Sequence, residues 1–242
     1  MDDKAESLSP LPETLPEAEI RAVNTRSLGT EIHTHRRLSW RDMMFDVPPG
    51  VFMPSPTARL IPDLIMDGAI SVQGKHYAAM GVGLGAEAVA AGLRGARTVY
   101  GIDIHPASVA AAESNFRLHV GSDASDFVGV VSDLWSAVPE NPPIDVVTFN
   151  PPMIDITLSP DPDIARTLCR GFPIAESFFA QLSQREILAP HSKIYFVLSN
   201  TAPIRRFSGL AASLGYDVRI EYERGWQGER VRTFVLLLTR AS

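Results

Sequence analysis

Short apolar runs alternate with helix-period segments from about Pro56 to the end of the chain, and this alternation most constrains the fold. Runs rich in β-branched and aromatic residues are typical of strands, and apolar residues spaced three or four apart are typical of helices. The predicted strands are 75–80, 98–103, 127–131, 145–150, 193–200, 217–223 and 232–239. The predicted helices are 57–67, 87–95, 108–119, 164–188 and 205–215. Such alternation predicts an α/β fold in which a doubly wound, mostly parallel sheet of seven strands carries helices on both faces.

The two ends of the chain depart from this pattern. The last two predicted strands are joined by the short polar segment 224–231, which is too short for a helical crossover, so they are expected to form an antiparallel C-terminal hairpin. Residues 1–52 are predicted to be an N-terminal arm and accessory segment, loose as far as about Glu19 and then packed on the domain. Residues 53–242 are predicted to form that domain.

Composition excludes several classes of protein. Lys and Arg number 22 against 28 Asp and Glu, a net charge of −6, which is the wrong sign for a chain that neutralises many phosphates. Cys169 is the single cysteine, so neither an intrachain disulfide nor a cysteine zinc site is expected, and we predict no metal. No apolar run approaches the roughly 18 residues of a membrane span, and the acidic start lacks a signal-peptide core. The sequence therefore predicts a cytoplasmic protein that does not enter a membrane.

A glycine-rich loop lies where the first predicted strand of the domain meets the following helix. Gly81, Gly83 and Gly85 permit positive φ angles and close approach of a ligand to the backbone. Asp103 ends the next strand, where a carboxylate can accept hydrogen bonds from ribose hydroxyls. These features indicate a nucleotide-like cofactor, but the loop also matches a dinucleotide pattern. At this point NAD and S-adenosylmethionine are both open.

Asn150, Pro151 and Pro152 follow the strand 145–150, which is expected to lie beside the first strand of the domain. Proline fixes φ and lacks an N–H, so the two prolines predict a rigid corner with free carbonyl acceptors. The amide oxygen of Asn150 and a proline carbonyl can together hold a planar NH₂ group by its two hydrogens. This motif predicts methyl transfer to a nitrogen.

Four segments in order, 81–85, 100–115, 130–135 and 145–153, resemble the class I S-adenosylmethionine-dependent methyltransferases. Within them the chain is similar to the Asn-Pro-Pro-Tyr branch, which contains protein-glutamine N5-methyltransferases and adenine N6-methyltransferases. The resemblance implies a Rossmann-like methyltransferase fold and S-adenosylmethionine as cofactor. The implied cofactor residues are Gly81, Gly83 and Gly85 beneath the methionine part, Asp103 on the ribose, Asp133 on the adenine, and Asn150. Asn150 and Pro151 are the implied catalytic pair that binds the acceptor nitrogen.

Two positions depart from the pattern of that branch. An acid usually stands two positions before the first glycine, and here it is Ala79, which removes the usual contact to the methionyl ammonium. Met153 replaces the aromatic residue that stacks on a planar acceptor, so a flipped adenine or a glutamine amide loses that platform. These departures also allow a relative that binds the cofactor without turnover.

The loop after the prolines suggests what the acceptor is. Asp155, Asp161 and Asp163 lie close together in sequence, and three acids beside the site suit a cationic small molecule or a basic peptide. A small-molecule or amino-acid acceptor is the preferred prediction. Met153 and Asp155 are therefore the predicted substrate-binding residues. A protein glutamine or an RNA base is the alternative, the latter touching the basic cluster of His33, His35, Arg36 and Arg37.

Overall fold

The computed structural model describes residues 11–25, 31–54, 58–121, 124–225 and 230–241. The strands are β1 (Arg36–Trp40), β2 (Met43–Val47), β3 (His76–Met80), β4 (Thr98–Asp103), β5 (Asp126–Val131), β6 (Ile144–Phe149), β7 (Leu188–Ser199), β8 (Tyr216–Gly225) and β9 (Arg232–Arg240). The helices are α1 (Glu17–Thr25), α2 (Leu60–Met66), α3 (Ala86–Leu93), α4 (Pro106–His119), α5 (Pro162–Leu168), α6 (Pro173–Leu182) and α7 (Ile204–Ser213).

Seven strands form one sheet in the order β5-β4-β3-β6-β7-β9-β8. The strands from β5 to β7 pair in parallel, whereas β9 pairs antiparallel with both β7 and β8. The chain runs outward from β3 through β4 to β5 and then returns to place β6 on the other side of β3, which makes the junction of β3 and β6 the point where the strand order reverses. The predicted doubly wound fold with a C-terminal antiparallel hairpin is confirmed.

Two apolar clusters cover the two faces of the sheet. Side chains alternate between faces along a strand, so Tyr77 and Ala79 of β3 belong to one cluster, and Ala78 and Met80 belong to the other. The first cluster packs under α2, α3 and α4, and the second contains a group of aromatic rings around Phe178. Burial on both faces explains why the central strands are nearly continuous apolar runs.

The helix predicted over 164–188 is wrong, because the chain breaks between α5 and α6. Gly171 has a φ of +68°, and Pro173 begins α6, where its missing N–H costs nothing. Asp155 Oδ1 accepts a hydrogen bond from the Phe172 N–H at 3.2 Å across this break. Strand β7 then begins at Leu188, five residues before the predicted start.

The N-terminal segment contains a β-hairpin that the sequence did not predict. Arg41 and Asp42 both have positive φ, which matches the two-residue turn that suits the twist of paired strands. The usual signal for that turn is Asn-Gly, and Arg-Asp does not provide it. Buried side chains of the hairpin join the cluster under α2 and α3, so this part packs on the domain as expected; they are Leu38, Trp40, Phe45 and Val47.

Residues 11–25 also contact the rest of the chain. Leu15 donates its N–H to the Asn200 carbonyl at 2.8 Å, and Leu15 and Ile20 are buried beside Ile154 and Val231. The looseness expected as far as about Glu19 is therefore absent between residues 11 and 19, because apolar side chains of this segment find a surface to cover. The domain division at residue 52 stays a prediction. Among the described residues, no helix combines the length and the apolar character that crossing a bilayer requires.

Candidate active site

The carboxyl ends of β3, β4 and β6 open on a cavity of about 1220 Å³. Ligand pockets usually measure roughly 300–1,000 Å³, so this cavity has room for more than one small group. Its walls include the N-terminal segment, which contributes Glu31, Ile32, Arg36 and Phe52. The sequence-predicted residues on its lining are Gly81, Gly83, Asp103, Asp133, Asn150, Pro151 and Met153. Gly85 and Asp155 are predicted site residues that do not line it.

Gly81 and Gly83 form the floor of the cavity beside β3. Their φ angles are +67° and +53°, in the region that favours glycine. A Cβ at Gly83 meets nothing nearer than the Gly81 carbonyl oxygen at 3.9 Å, so the space above it is open to a ligand. Both residues lie at the junction of β3 and α3, and their role in cofactor binding stays a prediction.

Gly85 packs helix against helix instead of lining the cavity. It precedes α3 with a φ of +91°, and a Cβ there lies only 2.7 Å from the Cα of Ala112 on α4. The expectation that Gly85 lies beneath a cofactor is therefore not supported by its position. A side chain is excluded because the backbones of α3 and α4 approach too closely.

We expect Gly85→Ala to destabilise the fold by about 2–4 kcal/mol, because the methyl group collides with backbone and the φ angle is strained. Gly83→Ala is the matched control, since it carries the strain without the collision and should cost about 1–2 kcal/mol. Urea denaturation of both variants measures the difference. Equal losses of stability would contradict the helix-packing role of Gly85.

Asp103 ties the glycine loop to the end of β4. Its Oδ2 accepts from the Gly83 N–H at 3.1 Å, and its Oδ1 accepts from the His105 N–H at 2.9 Å. A carboxylate has about four acceptor positions, so each oxygen can still accept another hydrogen bond. The Asp103 carboxylate is thus held by two backbone N–H groups and keeps unused acceptor positions, which suits hydrogen bonds from two ligand hydroxyl groups.

The loop after β5 presents Asp133 and a strained neighbour. Asp133 is exposed on the cavity lining, and Leu134 has a φ of +52°, which is unusual for a residue with a branched side chain. The Ser132 hydroxyl donates to the Leu134 carbonyl at 2.8 Å and accepts from the Ala137 N–H, so it holds this turn. Strained backbone of this kind concentrates at ligand sites.

Asn150 presents its side chain to the cavity at the end of β6. Among the described residues, its amide makes no hydrogen bond. The neighbouring proline carbonyls are not free as the sequence predicted: Pro151 accepts from the Met153 N–H at 2.8 Å, and Pro152 accepts from the Arg170 and Gly171 N–H groups. The reason is that the chain turns back after the prolines. A carbonyl oxygen has two lone pairs, so Pro151 keeps one acceptor position.

Met153 and Asp155 have different positions although both were predicted to bind substrate. Met153 lines the cavity, is 2% exposed and pairs with Cys169 in an isolated bridge. Asp155 instead holds the break before α6, through its hydrogen bond to Phe172. Cys169 ends α5 rather than lying inside a helix, and burial raises the pKa of its thiol.

The other two acids of this loop have partners as well. Asp161 caps α5 through the Asp163 and Ile164 N–H groups and contacts His33 Nε2 at 2.7 Å, while Asp163 pairs with Arg166 at 2.9 Å. The hydrogen bond with Asp161 raises the pKa of His33. Each acid therefore has a structural partner, and their side chains do not form a free anionic patch for a cationic acceptor.

In the basic cluster predicted as a phosphate contact, the two histidines pair with acids and Arg36 binds a backbone carbonyl. His33 is paired as described, His35 Nε2 lies 2.9 Å from Asp46, and Arg36 donates to the Val51 carbonyl at 2.6 Å. These contacts hold the N-terminal segment in place over the cavity. Among the described residues no carboxylate pairs with Arg36 or with the exposed Arg37, so both arginines keep their positive charge.

Glu87 is a cavity residue that the sequence analysis missed. It lies in the first turn of α3, and its Oε2 accepts from the Thr148 hydroxyl at 2.5 Å, which in turn lies 2.5 Å from the Tyr77 hydroxyl. Burial raises the pKa of Glu87 to about 7, against the lowering effect of these hydroxyls. The available signal was a lone acid in an Ala-rich helix directly after the glycine loop.

The raised pKa of Glu87 makes stability pH-dependent. Its usual pKa is 4.5, so between about pH 4.5 and 7 the folded protein holds a proton that the unfolded chain has lost, and stability falls as pH rises through this window. We expect the free energy of unfolding of wild type to fall by at most about 3 kcal/mol between pH 5 and pH 8 because of this group. Glu87→Gln should remove that fall. Urea denaturation at both pH values measures it. Glu113→Gln, at an exposed pair with Arg117, should keep the wild-type profile, and a Glu87→Gln profile parallel to wild type would contradict the assignment.

Comparisons with known proteins find that the chain is similar to proteins named as methyltransferases. No family model matches the chain. It is 32% identical over 117 residues to a release factor glutamine methyltransferase of Gloeobacter violaceus, a match covering 48% of this chain and 40% of that protein. It is 33% identical over 91 residues to a Methanocaldococcus jannaschii protein whose provisional name is protein N5-glutamine methyltransferase, covering 38% of this chain and 43% of that one. The chain thus spans less than half the length of these curated relatives.

The fold has a counterpart among solved structures. The crystal structure of a ribosomal protein L11 methylase from Lactobacillus delbrueckii subsp. bulgaricus superposes with a TM-score of 0.55 and 19% identity, covering 81% of this chain and 84% of that one. The Rossmann-like methyltransferase fold is confirmed, and so is the resemblance to S-adenosylmethionine-dependent methyltransferases.

Proposed function

We propose that this chain is an S-adenosylmethionine-dependent methyltransferase that methylates a planar NH₂ nitrogen, with the side-chain amide of a protein glutamine as the acceptor. The observation that carries the proposal is the Asn150 amide. It lines the cavity beside Pro151, at the junction of β3 and β6 where the strand order reverses, and none of its hydrogen-bonding capacity is used by the described residues. Unused polar groups at such a junction favour ligand recognition.

The cofactor side of the cavity fits S-adenosylmethionine, whose sulfonium carries the methyl group to be transferred. Gly83 leaves the loop backbone open for close approach. Asp103 keeps acceptor positions for two ribose hydroxyls, and the exposed Asp133 carboxylate can accept from the adenine amino group. The same features also suit the nucleoside part of NAD. The choice of S-adenosylmethionine is therefore supported by the similarity to proteins named as methyltransferases.

On the acceptor side, the chain holds the nitrogen rather than activating it. The Asn150 amide oxygen and the remaining lone pair of the Pro151 carbonyl can accept the two hydrogens of an NH₂ group, which directs the nitrogen lone pair at the methyl carbon. With S-adenosylmethionine bound, an N–C bond would form to its methyl carbon as the S–C bond breaks. The electron pair of the S–C bond would stay on sulfur, and a proton would leave the nitrogen to solvent. Positioning of this kind can supply several kcal/mol of barrier reduction, roughly 7–11 in ideal cases.

A protein amide suits the lining better than a cationic small molecule. The small-molecule preference depended on Asp155, Asp161 and Asp163, and all three have structural partners. The cavity lining includes the apolar residues Val23, Ile154 and Val231. An uncharged amide on a peptide matches such a wall, and both curated relatives carry the word glutamine in their names.

Transfer of tritium from labelled S-adenosylmethionine tests the proposal. Three acceptors are offered separately: a purified peptide-chain release factor, total tRNA, and a small-molecule extract. We expect label in the release factor, and mass spectrometry should place it on a glutamine. Label in tRNA or in the extract alone would overturn the choice of acceptor. Binding of S-adenosylhomocysteine without transfer to any of the three would favour a non-catalytic relative.

A further inference from the structure

Glu87 presents a carboxylate to the cavity that has no cationic partner among the described residues. Its partners there are hydroxyl groups, and Arg36 and Arg59, which line the same cavity, form no ion pair with it. Its Oε2 accepts from Thr148, whereas Oε1 accepts no hydrogen bond and is not among the buried unpartnered atoms, so it is open to the cavity. An enclosed carboxylate with one oxygen free is poised for a charged donor.

We propose that Glu87 binds the α-ammonium of the methionine part of S-adenosylmethionine, so that helix α3 supplies the carboxylate that strand β3 lacks. This inference rests on the proposed function and adds a cofactor-binding residue to it. It concerns the α-ammonium group, for which the sequence-predicted residues offer no charged partner.

The packing around Ala79 explains how a helix residue reaches this position. Ala79 is paired in register with Thr148, and it lies on the same face of the sheet as Tyr77, two residues earlier on β3. Glu87 contacts this face through the Thr148 hydroxyl. The methyl side chain of Ala79 therefore shares a sheet face with the hydroxyl groups that hold Glu87.

The hydroxyl chain fixes the carboxylate. The Tyr77 hydroxyl is hydrogen-bonded to the Thr148 hydroxyl, which contacts Glu87 Oε2, so the three groups form a row. The row links β3, β6 and α3 behind the glycine loop. It holds Oε2 and leaves Oε1 open to the cavity, which suits one strong contact to an ammonium group.

Charge supports the same assignment. The groups facing Glu87 are the Tyr77 phenol from β3 and the Thr148 hydroxyl from β6, and neither is charged near neutral pH. Burial without a cation holds the pKa of Glu87 near 7. An ammonium beside it favours the ionised form, so ligand binding should expel a proton. A purely structural hydrogen bond to Thr148 predicts no such release.

Calorimetric titration with two ligands tests this at pH 7. S-Adenosylhomocysteine carries the ammonium, whereas 5′-methylthioadenosine has the same nucleoside and sulfur without the amino acid part. We expect Glu87→Gln to weaken S-adenosylhomocysteine binding by about 10- to 100-fold and 5′-methylthioadenosine binding by less than about twofold. Glu113→Gln, which removes an exposed carboxylate, should bind both ligands as wild type does.

Repeating the titrations in buffers of different ionisation enthalpy measures how many protons are released or taken up when each ligand binds. We expect net proton release with S-adenosylhomocysteine and none with 5′-methylthioadenosine, and no release from Glu87→Gln with either ligand. Equal weakening of both ligands in Glu87→Gln, or unchanged binding of S-adenosylhomocysteine, would overturn the inference and leave the proposed function standing. Failure of the wild type to bind either ligand would overturn the proposed function itself.

Discussion

Asn150→Ala is expected to lower the single-turnover rate of methyl transfer by at least about a hundredfold, since misplacing a reacting atom by ~1 Å has an effect of that order. S-Adenosylhomocysteine affinity should change by no more than a few fold, because the amide orients the acceptor nitrogen. Pro151 and Pro152 fix the backbone at this corner, and the neighbouring Asp155 is bound to Phe172, so no nearby group replaces the lost amide. The rate is measured at saturating labelled cofactor with the acceptor found above.

Asn24→Ala is the matched control for this experiment. Asn24 also lines the cavity, but its side-chain amide donates to the Ile20 carbonyl within α1 at 2.8 Å. We expect its transfer rate to stay within a few fold of the wild-type rate. If Asn150→Ala turns over as fast as wild type, the Asn-Pro-Pro corner is a structural turn and nitrogen methylation loses its main support.

Asp103→Ala should weaken both S-adenosylhomocysteine and 5′-methylthioadenosine by at least about a hundredfold. Each hydrogen bond between a ribose hydroxyl and the carboxylate contributes about 1.5–3 kcal/mol, and both ligands contain the ribose. Part of the loss reflects the loop, because Asp103 also holds the Gly83 and His105 N–H groups. Calorimetry on folded protein, verified by an unchanged circular dichroism spectrum, gives the two affinities.

The control for Asp103→Ala is Asp126→Ala. Asp126 is exposed at the amino end of β5, away from the carboxyl ends of the parallel strands where the cavity lies. It should bind both ligands with wild-type affinity. Unchanged affinity in Asp103→Ala would remove Asp103 from the cofactor site. Equal losses in both variants would point to a general effect of acid removal on the fold.

The central strands were predictable because both of their faces are buried. The run predicted at 98–103 coincides with β4, and the run at 75–80 begins one residue before β3. The β1–β2 hairpin was not predicted, since its turn residues Arg41 and Asp42 lack the usual turn signal and its strands are stabilised by contacts with distant helices. Contacts with residues distant in sequence, rather than the local sequence pattern, determine the structure of that segment.

Some residues of the candidate site could likewise be predicted from the sequence, and others could not. Gly83, Asp103 and Asn150 were predictable because strand ends of a parallel sheet converge on one edge. The positions of Gly85 and Asp155 were not predictable. That of Gly85 depends on how closely α4 approaches α3, and that of Asp155 depends on where the chain breaks before α6. Glu87 requires the contact between α3 and β6, which no spacing in the sequence reveals.

The most direct test of the account is equilibrium binding to the wild-type protein of S-adenosylmethionine and of NAD, titrated separately by calorimetry under identical conditions. The cavity at the ends of β3, β4 and β6 should take up one equivalent of S-adenosylmethionine and give no binding heat with NAD. Binding of NAD without binding of S-adenosylmethionine would contradict the assignment of this site to a methyltransferase.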